Sequence, residues 1–183
     1  MLCNFIAGNQ NHIRMHPFIH LHVHTQYSIL DGQASIPALV EKAMHNGMKG
    51  MAITDHGNMF GIKEYFNLVN KKNGGVKGEI KDLKKRLSKI ESGEEAVENR
   101  EEEIARCKQA IADAEAKLFK PIFGCEMYVA RNGMNSKRAG IKEDQSGYHL
   151  VVLAKNLKGY HNLIKLVSKA WTEGYYYPVS YTH

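Results

Sequence analysis

The stretch that decides the fold is residues 18–25, with the sequence FIHLHVHT. Its alternation predicts a short strand, because successive side chains of a strand point to opposite faces. One face then carries His20, His22 and His24, while the other face is aliphatic and requires a core. Neutral imidazoles gathered in one place are preferred ligands of zinc and its first-row neighbours. A His-x-His pattern alone also fits surface or core histidines, so the rest of the chain has to decide.

Length and composition favour one globular domain. The 183 residues, 43% of them hydrophobic, can bury one sizeable core, and we place this domain at residues 16–183. No apolar run approaches the roughly 18 residues of a membrane-spanning helix, so we predict no membrane segment. Residues 1–15 lack the features of a secretion signal and are expected to be a disordered leader. The three cysteines form no Cys-x-x-Cys pair, which favours a cytoplasmic location.

The formal net charge is +6, and the positive surplus lies outside one charge-balanced stretch. Residues 77–117 contain ten basic and eleven acidic side chains, so the remainder of the chain is clearly basic. A basic surface suits an anionic partner such as nucleic acid, although many soluble domains of other functions carry as much positive charge.

The first part of the chain alternates between helical and strand patterns. Helices are predicted at residues 35–46 and 61–70, with a strand at 50–54 between them. This order predicts parallel strands with helices packed outside. Asp55 and His56 directly follow the strand, so its carboxyl end delivers polar groups into a glycine turn.

A charge-rich interruption follows this pattern. Asn73-Gly74-Gly75 is expected to interrupt the helical pattern. Residues 77–118 then show two apolar seams separated by Ser92-Gly93. This pattern predicts an antiparallel helical hairpin with a tight turn, inserted into the domain. A solvated insertion is the simpler interpretation of such a hairpin, and a docking role is the alternative.

The strand pattern then resumes. Strands are predicted at residues 121–129 and 148–154, a polar loop at 131–147, and a helix at 159–171. Glu126 is the single carboxylate of its apolar strand, where an unpartnered carboxylate costs roughly several kcal/mol. We predict no element in the aromatic tail, and we expect the chain to stop before its fold is complete.

Several segments that adjoin predicted strands carry metal-ligating side chains. In parallel barrels the functional groups gather at the carboxyl ends of the strands, and we expect these side chains to meet there. The candidate ligands are His22, His24, Asp31, His56, Glu126 and His149. A carboxylate such as Glu126 can bridge two ions, and clustered ions hydrolyse phosphate esters. Asp31 could equally cap its turn, and His149 could be a core histidine. Asp55 is expected to orient an imidazole or a turn instead of binding metal.

Five stretches of the sequence, in order, resemble one known family. They are HLHVHT from residue 20, ITDHGNMFG from 53, KPIFGCEMYV from 120, YHLVVLAKNLKGYHNL from 148 and SKAWTEG from 168. Together they resemble the polymerase and histidinol phosphatase (PHP) domain of bacterial replicative DNA polymerase III alpha subunits. The resemblance covers about residues 16–174 except the hairpin, and GNMFG and GYHNL are similar to the polymerase branch in particular.

The resemblance implies an α/β fold, namely a distorted (β/α)7 PHP-type barrel, here partial and carrying the inserted hairpin at 77–118. It also implies up to three divalent ions, Zn or else Mn or Fe. Matched by motif, His22 and His24 are a first ligand pair, Asp31 and His56 belong to a neighbouring ion, Glu126 is the bridging carboxylate, and His149 is the histidine that follows it. His22, His24 and Glu126 would be the catalytic residues.

The resulting prediction is a metal-dependent phosphoesterase domain that acts in DNA replication as a 3′–5′ proofreading exonuclease. The family's later ligands and its polymerase palm are expected beyond His183, so this chain is expected not to polymerise DNA by itself. Expected partners are DNA, the remainder of the alpha subunit and other replisome subunits. Two alternatives stay open: a non-catalytic module stabilised by the same ions, and a free-standing phosphoesterase of the histidinol phosphatase type.

Overall fold

The computed structural model describes residues 18–176 and 179–182 of the chain. The leader predicted at residues 1–15 lies outside these residues. In chain order the elements are α1 (Ile36–His45), β1 (Gly50–Ile53), α2 (Ile62–Lys72), α3 (Gly74–Ser92), α4 (Arg100–Glu115), β2 (Lys120–Ala130), β3 (Gly147–Leu153), α5 (Leu157–Thr172), β4 (Tyr175–Tyr176) and β5 (Val179–Thr182). Within the described residues, no helix is long and apolar enough to cross a membrane.

The strands form a mixed arrangement around β2. β1 pairs with β2 in parallel, from Gly50 opposite Lys120 to Ile53 opposite Phe123, as the sequence predicts. β3 runs antiparallel to β2, so the prediction of parallel strands is wrong there. The connection between them, residues 131–146, contains only a three-residue 3-10 helix and lacks the α-helix that usually carries a parallel crossover.

The aromatic tail also contains strands, which the sequence analysis did not predict. β5 pairs in parallel with β2, and β4 pairs antiparallel with β5. Both strands are short, so the hydrophobic pattern of the tail contains too few residues to reveal a period.

The histidine segment at residues 18–25 bends at Leu21 and does not form the predicted strand. Two backbone amides, one in β1 and one directly after it, donate hydrogen bonds to this segment. The Ala52 N–H donates to the His20 carbonyl at 2.8 Å, and the Thr54 N–H donates to the Val23 carbonyl at 2.9 Å. Between these two hydrogen bonds the histidine segment advances by three residues and the opposite stretch by two. This mismatch is that of a β-bulge, and it shifts by one residue the alternation of side chains between the two faces. As a result His20 lies in a groove with Val23, away from His22 and His24, which corrects the prediction of one shared face.

Two apolar layers cover opposite parts of the sheet. α1 and α2 pack on β1 through a cluster formed by Ile36, Val40, Ala43, Met51, Ile53, Ile62, Tyr65, Val69 and Phe119. On β2, the buried side chains of Cys125 and Met127 pack against Leu163 of α5. Because side chains alternate along a strand, Glu126 points away from this second layer.

The charge-rich stretch forms two helices, α3 and α4, which share a small apolar core around Ile80 and Ile111. Asn73 does not interrupt the helical backbone as predicted, because its own conformation is helical and α3 begins at the next residue. Residues 93–99 connect the helices, so the connection is longer than the predicted tight turn. At the base of the hairpin, the side-chain amide of Asn73 pairs with the backbone of Phe119. Asn73 Nδ2 donates to the Phe119 carbonyl at 2.8 Å, and Asn73 Oδ1 accepts from the Phe119 N–H at 3.1 Å.

Asp144 organises the polar loop between β2 and β3. Its buried carboxylate accepts hydrogen bonds from Arg138, Asn132 and Ser136 at 2.8 to 2.9 Å. The Arg138 guanidinium in particular holds the pKa of this carboxyl far below its usual range. The loop is therefore ordered by one ionised side chain and not by an apolar cluster.

Candidate metal centre

The side chain of Glu126 lies at the centre of a cluster of four imidazoles. Its Oε2 lies 3.2 Å from His24 Nε2, 3.6 Å from His22 Nε2 and 3.5 Å from His56 Nδ1. Its other oxygen, Oε1, lies 2.9 Å from His149 Nδ1. The carboxylate side chain is only 7% exposed, so these nitrogens replace most of the water that would otherwise solvate its charge.

Backbone pairing explains why these residues meet. His56 follows the carboxyl end of β1 and continues the parallel pairing as a bridge to Glu126. The Gly57 N–H donates to the Glu126 carbonyl at 2.8 Å, and the Glu126 N–H donates to the Asp55 carbonyl at 3.1 Å. His149 reaches the same place because β3 returns antiparallel, with its first residues opposite the last residues of β2.

Among the described residues, two groups of side chains could hold an ion: His22, His24 and Glu126 in one, and His56, Glu126 and His149 in the other. Ligands at about 2.1 Å from a shared ion lie roughly 3.0 to 3.6 Å from one another. The Nε2 atoms of His22 and His24, 3.0 Å apart, fall in this range. The distances from Oε2 to these two nitrogens also fall in it. The donor set therefore fits a divalent metal, and Glu126 belongs to both groups.

The hydrogen bonds of Ser28 determine which nitrogen of His24 carries a proton. Ser28 Oγ lies 2.9 Å from His24 Nδ1, donates to Asp55 Oδ1 at 3.0 Å and accepts from the His56 N–H at 2.8 Å. An ionised carboxylate only accepts, so the hydroxyl proton goes to Asp55 and His24 Nδ1 has to donate. In a neutral imidazole this leaves the Nε2 lone pair free and directed at the Glu126 carboxylate. Two acceptors 3.2 Å apart repel each other unless a proton or a metal ion lies between them, so this position suits a metal.

Asp31 lies beside His56 and outside the two groups. Its Oδ2 lies 2.8 Å from His56 Nδ1, and its side chain is about half exposed. Nε2 of the same imidazole is buried and has no hydrogen-bond partner among the residues that the structure describes. The nitrogen that faces Glu126 is Nδ1, 3.5 Å from Oε2, so the carboxylates of Asp31 and Glu126 both lie against the same ring nitrogen. Direct ligation by Asp31 stays a prediction.

Asp55 is buried behind the imidazoles, in a position that suits the orienting role expected for it. It accepts from the Thr25 N–H at 2.7 Å, from the Thr25 hydroxyl at 2.9 Å and from Ser28. The sequence analysis missed Ser28 as a site residue. Its one signal was its place in the loop between two candidate ligands, which does not distinguish it from other loop serines.

Two further side chains complete the surroundings of the centre. The Tyr128 ring contacts His56 and His149 at centroid distances of 4.7 and 4.5 Å. Burial raises the pKa of Tyr128, and the charge of Glu126 raises it further. Burial also raises the pKa of the Cys125 thiol to about 12, and this thiol contacts the Asp55 carbonyl. Cys125 is therefore a neutral core residue and not a thiolate ligand.

Residues 20–182 match the model of the PHP domain. The chain therefore belongs to the PHP domain family, whose members are generally metal-dependent. It is homologous to DNA polymerase III subunit alpha, as the resemblance noted in the sequence indicates. The protein of that name from Treponema pallidum is 36% identical over 160 residues, the one from Borreliella burgdorferi is 34% identical over 163, and the one from Aquifex aeolicus is 31% identical over 164.

Each of these matches covers 87% of this chain and 10% of the relative. The chain thus spans about a tenth of the length of these curated relatives.

Proposed function

We propose that this chain is the metal-dependent phosphoesterase domain of a DNA polymerase III alpha subunit and degrades DNA from the 3′ end. The observation that carries the proposal is that Glu126 belongs to both groups of histidines, with Oε2 against His24 and His56 and Oε1 against His149. A bridging carboxylate between neighbouring cations is the arrangement that phosphate-ester hydrolysis uses.

The proposal assigns the ions to the residues as the sequence predicts. His22 and His24 are the first ligand pair, Asp31 and His56 bind a neighbouring ion, Glu126 is the bridging carboxylate, and His149 is the histidine at its other oxygen. When bound, such ions lower the pKa of a ligated water to about 7 and neutralise charge on the phosphate. We propose zinc, with manganese or iron as alternatives, and up to three ions in a complete, distorted (β/α)7 barrel.

The chain's own side chains prepare the centre for these ions. Ser28 and Asp55 keep the proton of His24 on Nδ1, so that Nε2 stays available as a ligand. At His56 both Asp31 and Glu126 lie against Nδ1, so this nitrogen faces two carboxylates that could share an ion with it. Tyr128 keeps its proton at neutral pH, because its pKa is raised, and lies against two of the imidazoles without adding a negative charge.

The homology supports the rest of the proposal. The relatives are named as alpha subunits of DNA polymerase III. We therefore propose DNA, the remainder of an alpha subunit and other replisome subunits as partners, in the cytoplasm. In this proposal the domain covers residues 16–183, and the hairpin at 77–118 is an insertion into it.

A nuclease assay tests this function. The purified chain, loaded with zinc or manganese, is given a primer with a mismatched 3′ end, and we expect stepwise degradation that EDTA abolishes. The double variant His22→Ala, His24→Ala and the variant Glu126→Gln should each lose activity by about 100-fold or more, because removing a ligand removes the ion. His20→Ala is the matched control, since His20 lies in the same segment but faces a different groove. Undiminished degradation by the double variant would refute the proposal.

A second candidate function is a non-catalytic module in which the ions only stabilise the fold. The observation that favours it is that the ligands come from four separate segments of the chain, so a bound ion would cross-link them. In this case chelation would lower the melting temperature although the untreated protein had no nuclease activity to lose. Turnover of a small phosphomonoester but not of DNA would instead favour the histidinol phosphatase type.

A further inference from the structure

A cleft with a volume of about 580 Å³ opens beside the metal centre. Asp31, His56 and Tyr128 belong both to the cleft and to the surroundings of the centre. Beyond them the lining includes four aromatic residues, and we name the space the aromatic cleft after three of these, Phe60, Trp171 and Tyr175. A molecule in this cleft would therefore touch a site for cations at one end and flat apolar rings at the other.

The rings of Trp171 and Tyr175 form a parallel pair, with centroids 6.0 Å apart and planes inclined by 16°. The indole is held in place, because its N–H donates to the Gly57 carbonyl at 2.7 Å, in the turn directly after His56. Phe60 follows the same turn, and its N–H donates to the Asn58 side chain at 3.1 Å. The turn that carries His56 thus holds the Trp171 ring and the backbone of Phe60, and Tyr175 stacks on Trp171.

The apolar surface of the cleft is exposed to an unusual degree. Phe60 is 69% exposed, Trp171 47% and Tyr175 54%, while Ile29 and Leu30 on the rim reach 82% and 99%. Leu30 also has a backbone φ of 84°, in the left-handed region that residues other than glycine rarely adopt. An exposed apolar patch next to polar functional groups is typical of a ligand-binding surface.

We propose that the aromatic cleft binds the base of an unpaired nucleotide at the 3′ end of single-stranded DNA, with the adjoining phosphate at the metal centre. This inference rests on the proposed function and assigns the part of the site that selects the substrate. A nucleotide has one anionic and one flat aromatic half, and bases of single strands stack on aromatic side chains regardless of sequence. A volume of about 580 Å³ is within the range for small-ligand pockets.

The proposal implies selection against paired ends. A base within a duplex is stacked on its neighbour and cannot offer a face to the cleft unless it is first unstacked, which costs free energy. A mismatched or single-stranded end avoids much of this cost. The aromatic cleft would therefore make the domain prefer a frayed 3′ terminus before any chemistry takes place.

Trp171 is the single tryptophan of the chain, so its fluorescence reports on the cleft directly. The zinc-loaded chain is titrated with an oligothymidylate whose last linkage is a phosphorothioate, which slows cleavage. A second oligonucleotide of equal length and charge has no base on its terminal sugar. We expect quenching by the first, and about fivefold or more weaker binding of the second, because one stacked base is worth about 1–3 kcal/mol.

Variants of the exposed rings separate stacking from general hydrophobicity. Phe60→Leu and Tyr175→Leu should each weaken binding of the complete oligonucleotide by about fivefold, whereas Phe60→Tyr and Tyr175→Phe keep a ring and should bind normally. Phe66→Leu is the matched control, because Phe66 is also exposed but lies on α2 outside the cleft. Circular dichroism of each variant verifies that the helices are retained.

Equal affinity for the two oligonucleotides would overturn the inference, as would unchanged binding by both leucine variants of the cleft. The latter result would assign the cleft to another occupant, such as a protein segment. The failure of the proposed function has a different signature. Base-dependent quenching without metal-dependent cleavage would refute the nuclease and retain the binding site, whereas cleavage that ignores the terminal base would refute only the cleft.

Discussion

Replacing Ser28 by alanine tests whether hydrogen bonds behind the imidazoles prepare the metal centre. Ser28 is buried, and its hydroxyl joins His24, Asp55 and the backbone of His56. Alanine fits the same space and removes all three hydrogen bonds at once. The tautomer of His24 is then no longer determined, because Nδ1 has lost the acceptor that required it to carry the proton.

The expected size of the effect follows from the three contacts. The His56 N–H loses its partner, which costs about 1–3 kcal/mol, and Asp55 Oδ1 keeps the Thr25 N–H but loses its second hydrogen bond, which costs about 1 kcal/mol more. We therefore expect the free energy of unfolding to fall by about 2–4 kcal/mol. For a chain of this size the melting temperature should fall by roughly 5–12 °C. Loss of a group that orients a ligand typically lowers metal affinity about 10- to 100-fold.

Zinc affinity is measured by competition with a chromophoric chelator, and stability by thermal unfolding of the metal-free chain. Ser92→Ala is the control, because the exposed Ser92 hydroxyl only donates to a carbonyl of its own helix. If Ser28→Ala bound zinc as tightly as the wild type, the tautomer of His24 would not depend on Ser28. The reasoning that links the buried hydrogen bonds to the centre would then be refuted.

Three further predictions concern the scaffold. Asn73→Ala should lower the free energy of unfolding by about 2–4 kcal/mol in a denaturant titration, since it leaves a buried backbone N–H and carbonyl unpaired at the base of the hairpin. Gly32→Ala should reduce zinc affinity and stability, because the added Cβ would collide with the backbone of the histidine segment; unchanged binding would contradict this placement. Asp144 contributes stability above its ordinary pKa of 3.8 that is lost as the pH falls further, because Arg138 lowers its pKa in the folded state. In an acid titration, the free energy of unfolding of Asp144→Asn should therefore not show this decrease. Asp113→Asn, a change at an exposed position on α4, should show it as the wild type does.

Most elements could be recognised from local sequence. Ser35 and Gly47 delimit α1 as expected, because a cap and a left-handed residue are encoded by single side chains. β1 and β2 were also recognisable from short runs of apolar residues. The direction of β3 was not, because a strand of either direction has the same period and the loop at 131–146 is long enough for either connection, so the pairing with β2 decides.

The sequence by itself determined which side chains were available, namely the histidines of residues 20–24 and the carboxylate within β2. It also determined the resemblance to the PHP domain, which the match over residues 20–182 confirms. Tertiary structure decided which of them meet. The bulge beside β1 removes His20 from the cluster, the antiparallel return of β3 brings in His149, and Ser28 connects two imidazoles to a buried carboxylate. The physical reason is that residue types and their order are properties of the chain, whereas register, strand direction and hydrogen-bond partners depend on contacts between segments that are distant in sequence.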